Sequence, residues 1–167
     1  MTSEHLSDST VQQKAEAAII SALAEHLGVP DSLRPRKLST PGGSSVQLDA
    51  CSEDKSVLVE AYARQGKLKG AQIKKISQDV LKLALLKRDD SLSSSRAIIV
   101  FASEEARASI TGWVRSAADQ FGVELMVVDI PEDVRDDIRS AQARQVMVNV
   151  QVAADEVVED ISIRLTE

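Results

Sequence analysis

Aromatic side chains are almost missing from this sequence: 2% of 167 residues, one Trp, one Tyr and two Phe. A core must therefore be built from Val, Ile, Leu and Ala, and the stacking platforms on which single-strand binders lay successive bases have too few rings to form. Cysteine occurs once, at Cys51, which excludes an intrachain disulfide and any multi-thiolate metal site and fits a reducing cytoplasm. The two histidines, His5 and His26, have no spacing with other ligands that suggests zinc. Long apolar runs are lacking too. The longest clean one, Ala97 to Ala102, is far too short to cross a bilayer. Met1 to Thr10 is polar and acidic, without the basic start and apolar centre of a secretory signal. The expectation is a soluble, intracellular protein with no membrane role.

What is present points to a folded domain. Hydrophobic residues make up 43% and charged residues 28%, too apolar a mixture for intrinsic disorder, and the length suits one compact domain. The net charge of −6 argues against bulk affinity for nucleic acid, but the charge is segregated. From Arg34 to Arg88 there are 12 Lys and Arg against 5 Asp and Glu, while the rest of the chain carries 8 against 21. A basic middle between acidic flanks is the pattern of a phosphate-facing surface on an acidic protein, or of a solvated helix face.

The order of elements follows from periodicity and punctuation. Ser9 or Thr10 can cap a first helix that runs to about Leu27, with Val11, Ala15, Ile19, Leu23 and Leu27 as its apolar stripe and Gly28 and Pro30 as its stop. A short strand fits Arg36 to Ser39. Val46 to Cys51 and Ser56 to Arg64 read as two strands of a hairpin joined through Ser52 to Lys55. Ile73, Ile76, Val80, Leu83 and Ala84 mark a second helix ending near Arg88. Arg96 to Ala102 is a buried strand, a third helix runs from a Ser103 cap through Phe121, Val123 to Ile130 is another strand, and Pro131 opens a helix to about Gln145. Val146, Val148, Val150 and Val152 alternate as a last strand would. Helices alternating with strands in the second half imply parallel pairing, and the hairpin implies an antiparallel pair in the first. The predicted fold is α/β, a central mixed sheet flanked by helices: a core over 11–102, an α/β extension over 103–152 and an acidic tail over 153–167.

Carboxylates stand out against this frame. At about 100° per residue Glu16 projects between Leu23 and Leu27, inside the apolar stripe of the first helix, where it needs a cation, a metal, a donor or a proton, unless the helix tilts and Glu16 sits at a water-exposed end. On the hairpin, alternation puts Gln47, Asp49 and Cys51 on one face, and Leu58, Glu60, Tyr62 and Arg64 on one face of the next strand. Asp49 and Glu60 can thus lie side by side, an arrangement that a hard cation such as Mg²⁺ would neutralise, unless both simply face solvent.

An Asp on one strand, a following strand ending in Val59-Glu60-Ala61-Tyr62, an upstream helix with an inward Glu and a downstream helix opening with Gln72 together resemble the PD-(D/E)XK, or restriction-endonuclease-like, nuclease superfamily. The resemblance covers about Val11 to Ala102 and includes the order helix, three strands, helix, strand. It implies that Asp49 and Glu60 bind Mg²⁺, that Glu16 supplements them, and that DNA is the partner. The signature lysine, which in that family positions or activates the attacking water, is replaced here by Tyr62. A neutral phenol offers no positive charge to a hydroxide. Gln72, aimed from the border of the second helix's stripe, or a lysine from elsewhere such as Lys67, Lys74 or Lys75, would have to stand in.

Two functions follow from the resemblance: a Mg²⁺-dependent DNA phosphodiesterase, with Arg34, Arg36, Lys37, Arg64, Lys67 and Lys69 gripping phosphates, or a nuclease-fold module that has lost the reaction and binds nucleic acid or protein, including a second copy through the Val146 to Val152 edge. A third is an α/β regulatory domain of unrelated ancestry, with Asp49 and Glu60 on separate surfaces. Pro41-Gly42-Gly43-Ser44-Ser45 reads as a plain turn, because a strand follows it and no Lys does. Cys51 reads as a small packed side chain, and Trp113 and Phe121, eight apart, as core or interface anchors.

Overall fold

The computed structural model describes residues 2–147. The elements are α1 (Thr2–His26), β1 (Arg34–Ser39), β2 (Ser45–Cys51), β3 (Val57–Tyr62), α2 (Gly70–Leu86), β4 (Arg96–Phe101), α3 (Glu104–Ala108), α4 (Gly112–Phe121) and β5 (Val123–Val127). A further helix, α5, occupies 132–147. The strands form one five-stranded mixed sheet in the order β1-β2-β3-β4-β5. The pairs β1·β2 and β2·β3 are antiparallel, and β3·β4 and β4·β5 are parallel. This is the α/β architecture expected from the sequence.

Both faces of the sheet are covered. One core joins Leu48, Leu58, Ile99 and Phe101 to α2, α3 and α4 through Ile76, Val80, Leu83, Ala106 and Val114. The other joins Ala50, Val59, Ala61, Ile98 and Val100 to α1 and α5 through Ala15, Ile19, Leu23, Val134 and Ile138. Every residue of β3 is buried. Such a strand cannot alternate between wet and dry faces, so Glu60 goes into the protein whichever way it points.

Several boundaries differ from expectation. The first helix reaches back to Thr2, so Ser9 and Thr10 lie inside it and neither caps it. The third helix is two: after Ala108 the chain breaks, and Gly112, at φ +60, cannot continue a right-handed helix in register. Gly122, at φ +64, then ends α4 by donating its N–H to the carbonyls of Ala118 and Asp119. Trp113 and Phe121 are not core anchors, being 73% and 51% exposed, because the buried stripe of α4 runs through Val114 and Ala118. Val146 and Met147 are helical, where a strand was expected. The remainder of that strand, 148–152, and the acidic tail lie outside the described residues.

The alternation assumed for β2 also fails. Leu48 and Cys51 pack toward α2, whereas Ala50 packs toward α1. Cys51 therefore does not share a face with Asp49 by simple parity; it is a buried, packed side chain whose Sγ lies 3.3 Å from the Ser52 carbonyl. The register of β2 with β3 stops at Ala50 opposite Val59. Just beyond it the Ala61 N–H donates to Asp49 Oδ2 at 2.8 Å, so a side chain closes the ladder where the strands diverge.

Candidate functional site

Where β2 leaves β3, α1 crosses above the gap and α2 lies below it, and two adjoining clefts open, sharing Glu16 as a common wall. One, of about 330 Å³, includes Glu16, Tyr62, Arg64, Lys75 and Gln142. The other, of about 500 Å³, includes Glu16, Arg34, Gln47 and Asp49. Glu16 stands at the edge of the buried stripe of Ala15, Ile19 and Leu23, facing both clefts. Glu16 is half-buried, and its Oε1 accepts from Gln12 Nε2 at 2.6 Å. Burial pushes its carboxyl up and the Gln12 hydrogen bond opposes this; the charge of Asp49 adds to the rise and that of Lys75 resists it.

Glu60 lies deeper, 3% exposed. Lys82 of α2 places Nζ 2.6 Å from Glu60 Oε1, yet this buried oxygen has no aligned hydrogen-bond donor among the described residues. The ammonium sits close by as a charge without donating along a good line. The carboxyl is pushed up to about 8, chiefly by burial; Lys82 pulls the other way, and the neighbouring charges of Asp49 and Asp79 add to the rise.

Asp79, which the sequence reading passed over, is buried on α2. Its Oδ2 pairs with Lys75 at 3.0 Å and its Oδ1 with Lys82 at 3.4 Å. The chain Lys75, Asp79, Lys82, Glu60 is therefore one internal ion network linking α2 to β3. A sequence signal for it exists: Ile76, Asp79, Val80, Leu83 and Leu86 are spaced as one helical stripe, and Asp79 intrudes into it as Glu16 does in α1.

The residues expected to replace the signature lysine fall out differently. Gln72 is not aimed at water near the acids, because its Oε1 accepts from the Lys69 N–H at 2.7 Å and so completes the start of α2. Lys75 flanks the stripe, as expected, and is exposed; its Nζ pairs with Asp79 at 3.0 Å and lies 5.9 Å from the centroid of the Tyr62 ring. Tyr62 is buried, tilted at 57° against Phe101, and burial pushes its hydroxyl up to about 12. It is a packed phenol under an ammonium group, not a source of base.

Among the six basic residues expected to hold phosphates, Arg34 and Arg64 line the two clefts. Arg36 donates to the Glu53 carbonyl at 3.1 Å and ties β1 to the β2–β3 turn. Lys37, Lys67 and Lys69 are exposed. Among the described residues, no group of three or more His, Cys, Asp or Glu side chains comes together as a metal site. Asp49 turns one oxygen to Ala61, and the place beside Glu60 is held by Lys82, so the residues as arranged do not fit Mg²⁺ on Asp49 and Glu60. No described helix is long and apolar enough to cross a membrane. Comparisons of the chain with protein-family models, with curated proteins and with solved structures found no match.

Proposed function

We propose that this chain is a PD-(D/E)XK-like module that binds the phosphate backbone of DNA and does not cleave it. One observation carries the reading: the ammonium of Lys82 lies 2.6 Å from Glu60 Oε1, on the carboxylate that would otherwise hold a catalytic cation. Support comes from the element order, helix, three strands, helix, strand, and from Glu16 and Asp49 on the wall of one cleft, where the charge of Asp49 acts on both Glu16 and Glu60. Tyr62 has neither the charge nor the accessibility to activate water. Arg34 and Arg64 at the two clefts, with exposed Lys37, Lys67 and Lys69, supply a cationic rim.

The test is duplex DNA binding across a salt series, with cleavage followed in the same samples with and without Mg²⁺ or Mn²⁺. Binding should weaken steeply with salt, be indifferent to metal and leave the DNA intact. Replacing Arg34 and Arg64 together by Ala should reduce the log–log salt slope by about 2 if each neutralises one phosphate. Absence of DNA binding at low salt would reject the module.

A Mg²⁺-dependent DNA phosphodiesterase is the second reading, favoured by the buried Glu60 Oε1 that lacks an aligned donor. It requires Lys82 to leave that oxygen. Metal-dependent cleavage lost in Glu60→Ala would establish it over the first.

A further inference from the structure

The chain has four aromatic side chains, and two of them stand in solvent on one face. Trp113 and Phe121 of α4 are 73% and 51% exposed, and beside them Leu81 and Leu85 of α2 are 65% and 42% exposed. Trp113, Ala117 and Phe121 recur every four residues, as Leu81 and Leu85 do, so each helix presents an apolar edge. Between the two helices runs a groove of about 260 Å³ lined by Ser77, Gln78, Val80, Leu81, Trp113, Ala117 and Phe121, none of them charged. It shares no residue with either of the clefts beside Glu16. Its rim is cationic. Lys74 lies two turns before Leu81 on the same side of α2, Arg88 follows Leu85 just past the helix end, and both are exposed, whereas the one acid of α2, Asp79, is buried.

We infer that this groove is the docking site of the chain's own C-terminal segment, 154–165, bound as an acidic amphipathic helix. In the sequence Ala154, Val157, Val158, Ile161 and Leu165 follow the spacing of one helical face, and Asp155, Glu156, Glu159 and Asp160 fall outside it. An apolar stripe with acidic flanks complements an apolar groove with a basic rim. A second copy offering the same face would instead set Lys74 and Arg88 against their equivalents. Four partly exposed side chains also fall well short of the roughly 800 Å² per partner that a stable dimer buries. The segment is within reach. The described residues end at Met147, and Val146 lines a cleft with Glu104 and Glu105 of α3, the helix from which the chain passes on to Trp113 and α4. The six residues 148–153, extended, span roughly 20 Å before Ala154 is reached.

The inference is independent of DNA binding, and its readout is separate. Trp113 is the single Trp of the chain and lines the groove, so its fluorescence reports on the occupant directly. In the full chain, docking should leave Trp113 with blue-shifted emission and reduced quenching by acrylamide. The double variant Val157→Asp, Ile161→Asp spoils the apolar stripe of the segment and should shift the emission to the red and raise the quenching. Leu81→Glu, which sets an acid on the groove wall, should do the same, and circular dichroism confirms that each variant is folded. Lys74→Glu with Arg88→Glu, both at exposed positions, reverses the rim and serves in place of Leu81→Glu if that variant does not fold. Equal quenching in the wild type and the segment variant overturns the inference. So does shielding of Trp113 that is lost on dilution, because the occupant is then a second copy.

Discussion

At the scale of single residues, the chemistry of this domain is governed by Glu60. Its carboxyl, with an ordinary value of 4.5, rises to about 8 in the folded chain, because a site this dry disfavours the charged form more than Lys82 favours it. The folded state then binds the Glu60 proton more tightly than the unfolded one. The stabilisation is complete below the unfolded value and is lost as pH rises through the folded one. Between about pH 4.5 and 8 the wild type should lose stability on the order of a few kcal/mol from this group. Glu60→Gln, with no proton to lose, should lack that decline. Urea midpoints of both proteins at pH 5, 7 and 9 test the point: their difference must grow in favour of the Gln variant toward pH 9, and a constant difference would remove Glu60 as the cause.

At the scale of elements, the sequence revealed most where one periodicity held and least where an element was covered twice or interrupted. The inward Glu16 could be read because α1 keeps its stripe through Ala15, Ile19 and Leu23. Lys82 could not, since a lysine beside an apolar stripe reads as solvated until β3 is known to bring a carboxylate beneath it. Glu60 looked solvent-facing by alternation, a rule that fails on a strand roofed by helices on both sides. The break between α3 and α4 shifted the helical phase and put Trp113 outside. At the other end of α3, where β4 passes into it, the junction hangs on Ser103: its Oγ accepts from the Ala106 N–H at 3.3 Å, capping α3, and from the Gly66 N–H at 3.3 Å, tying the β3–α2 loop to the end of β4. Ser103→Ala should cost about 1–2 kcal/mol, more than a single exposed cap because two donors lose an acceptor, and Ser103→Thr should restore most of it. Chemical denaturation measures this, and an alanine variant as stable as the wild type would assign both donors to other partners.

At the scale of the whole molecule, the sheet is a partition between two cores, and the clefts open where that partition parts between β2 and β3. Ile98 and Ile99 are neighbours on β4, both fully buried, yet Ile98 packs with α1 and α5 and Ile99 with α2 and α4. A sheet wet on one side would make one of them cheap to trim. Here each of Ile98→Val and Ile99→Val should cost about 0.5–1.5 kcal/mol, because each loses one methylene from a closed layer. The two side chains touch different helices, so the double variant should lose the sum within about 0.5 kcal/mol despite adjacency in sequence. Equilibrium urea unfolding of the two singles and the double measures these terms, provided the slopes stay equal. A loss confined to one single variant would mean that one helical layer is not packed against the sheet. A double variant well away from the sum would mean that the two layers yield together, and that a ligand entering the clefts on the α1 side would be felt at the Asp79 and Lys82 network on the other.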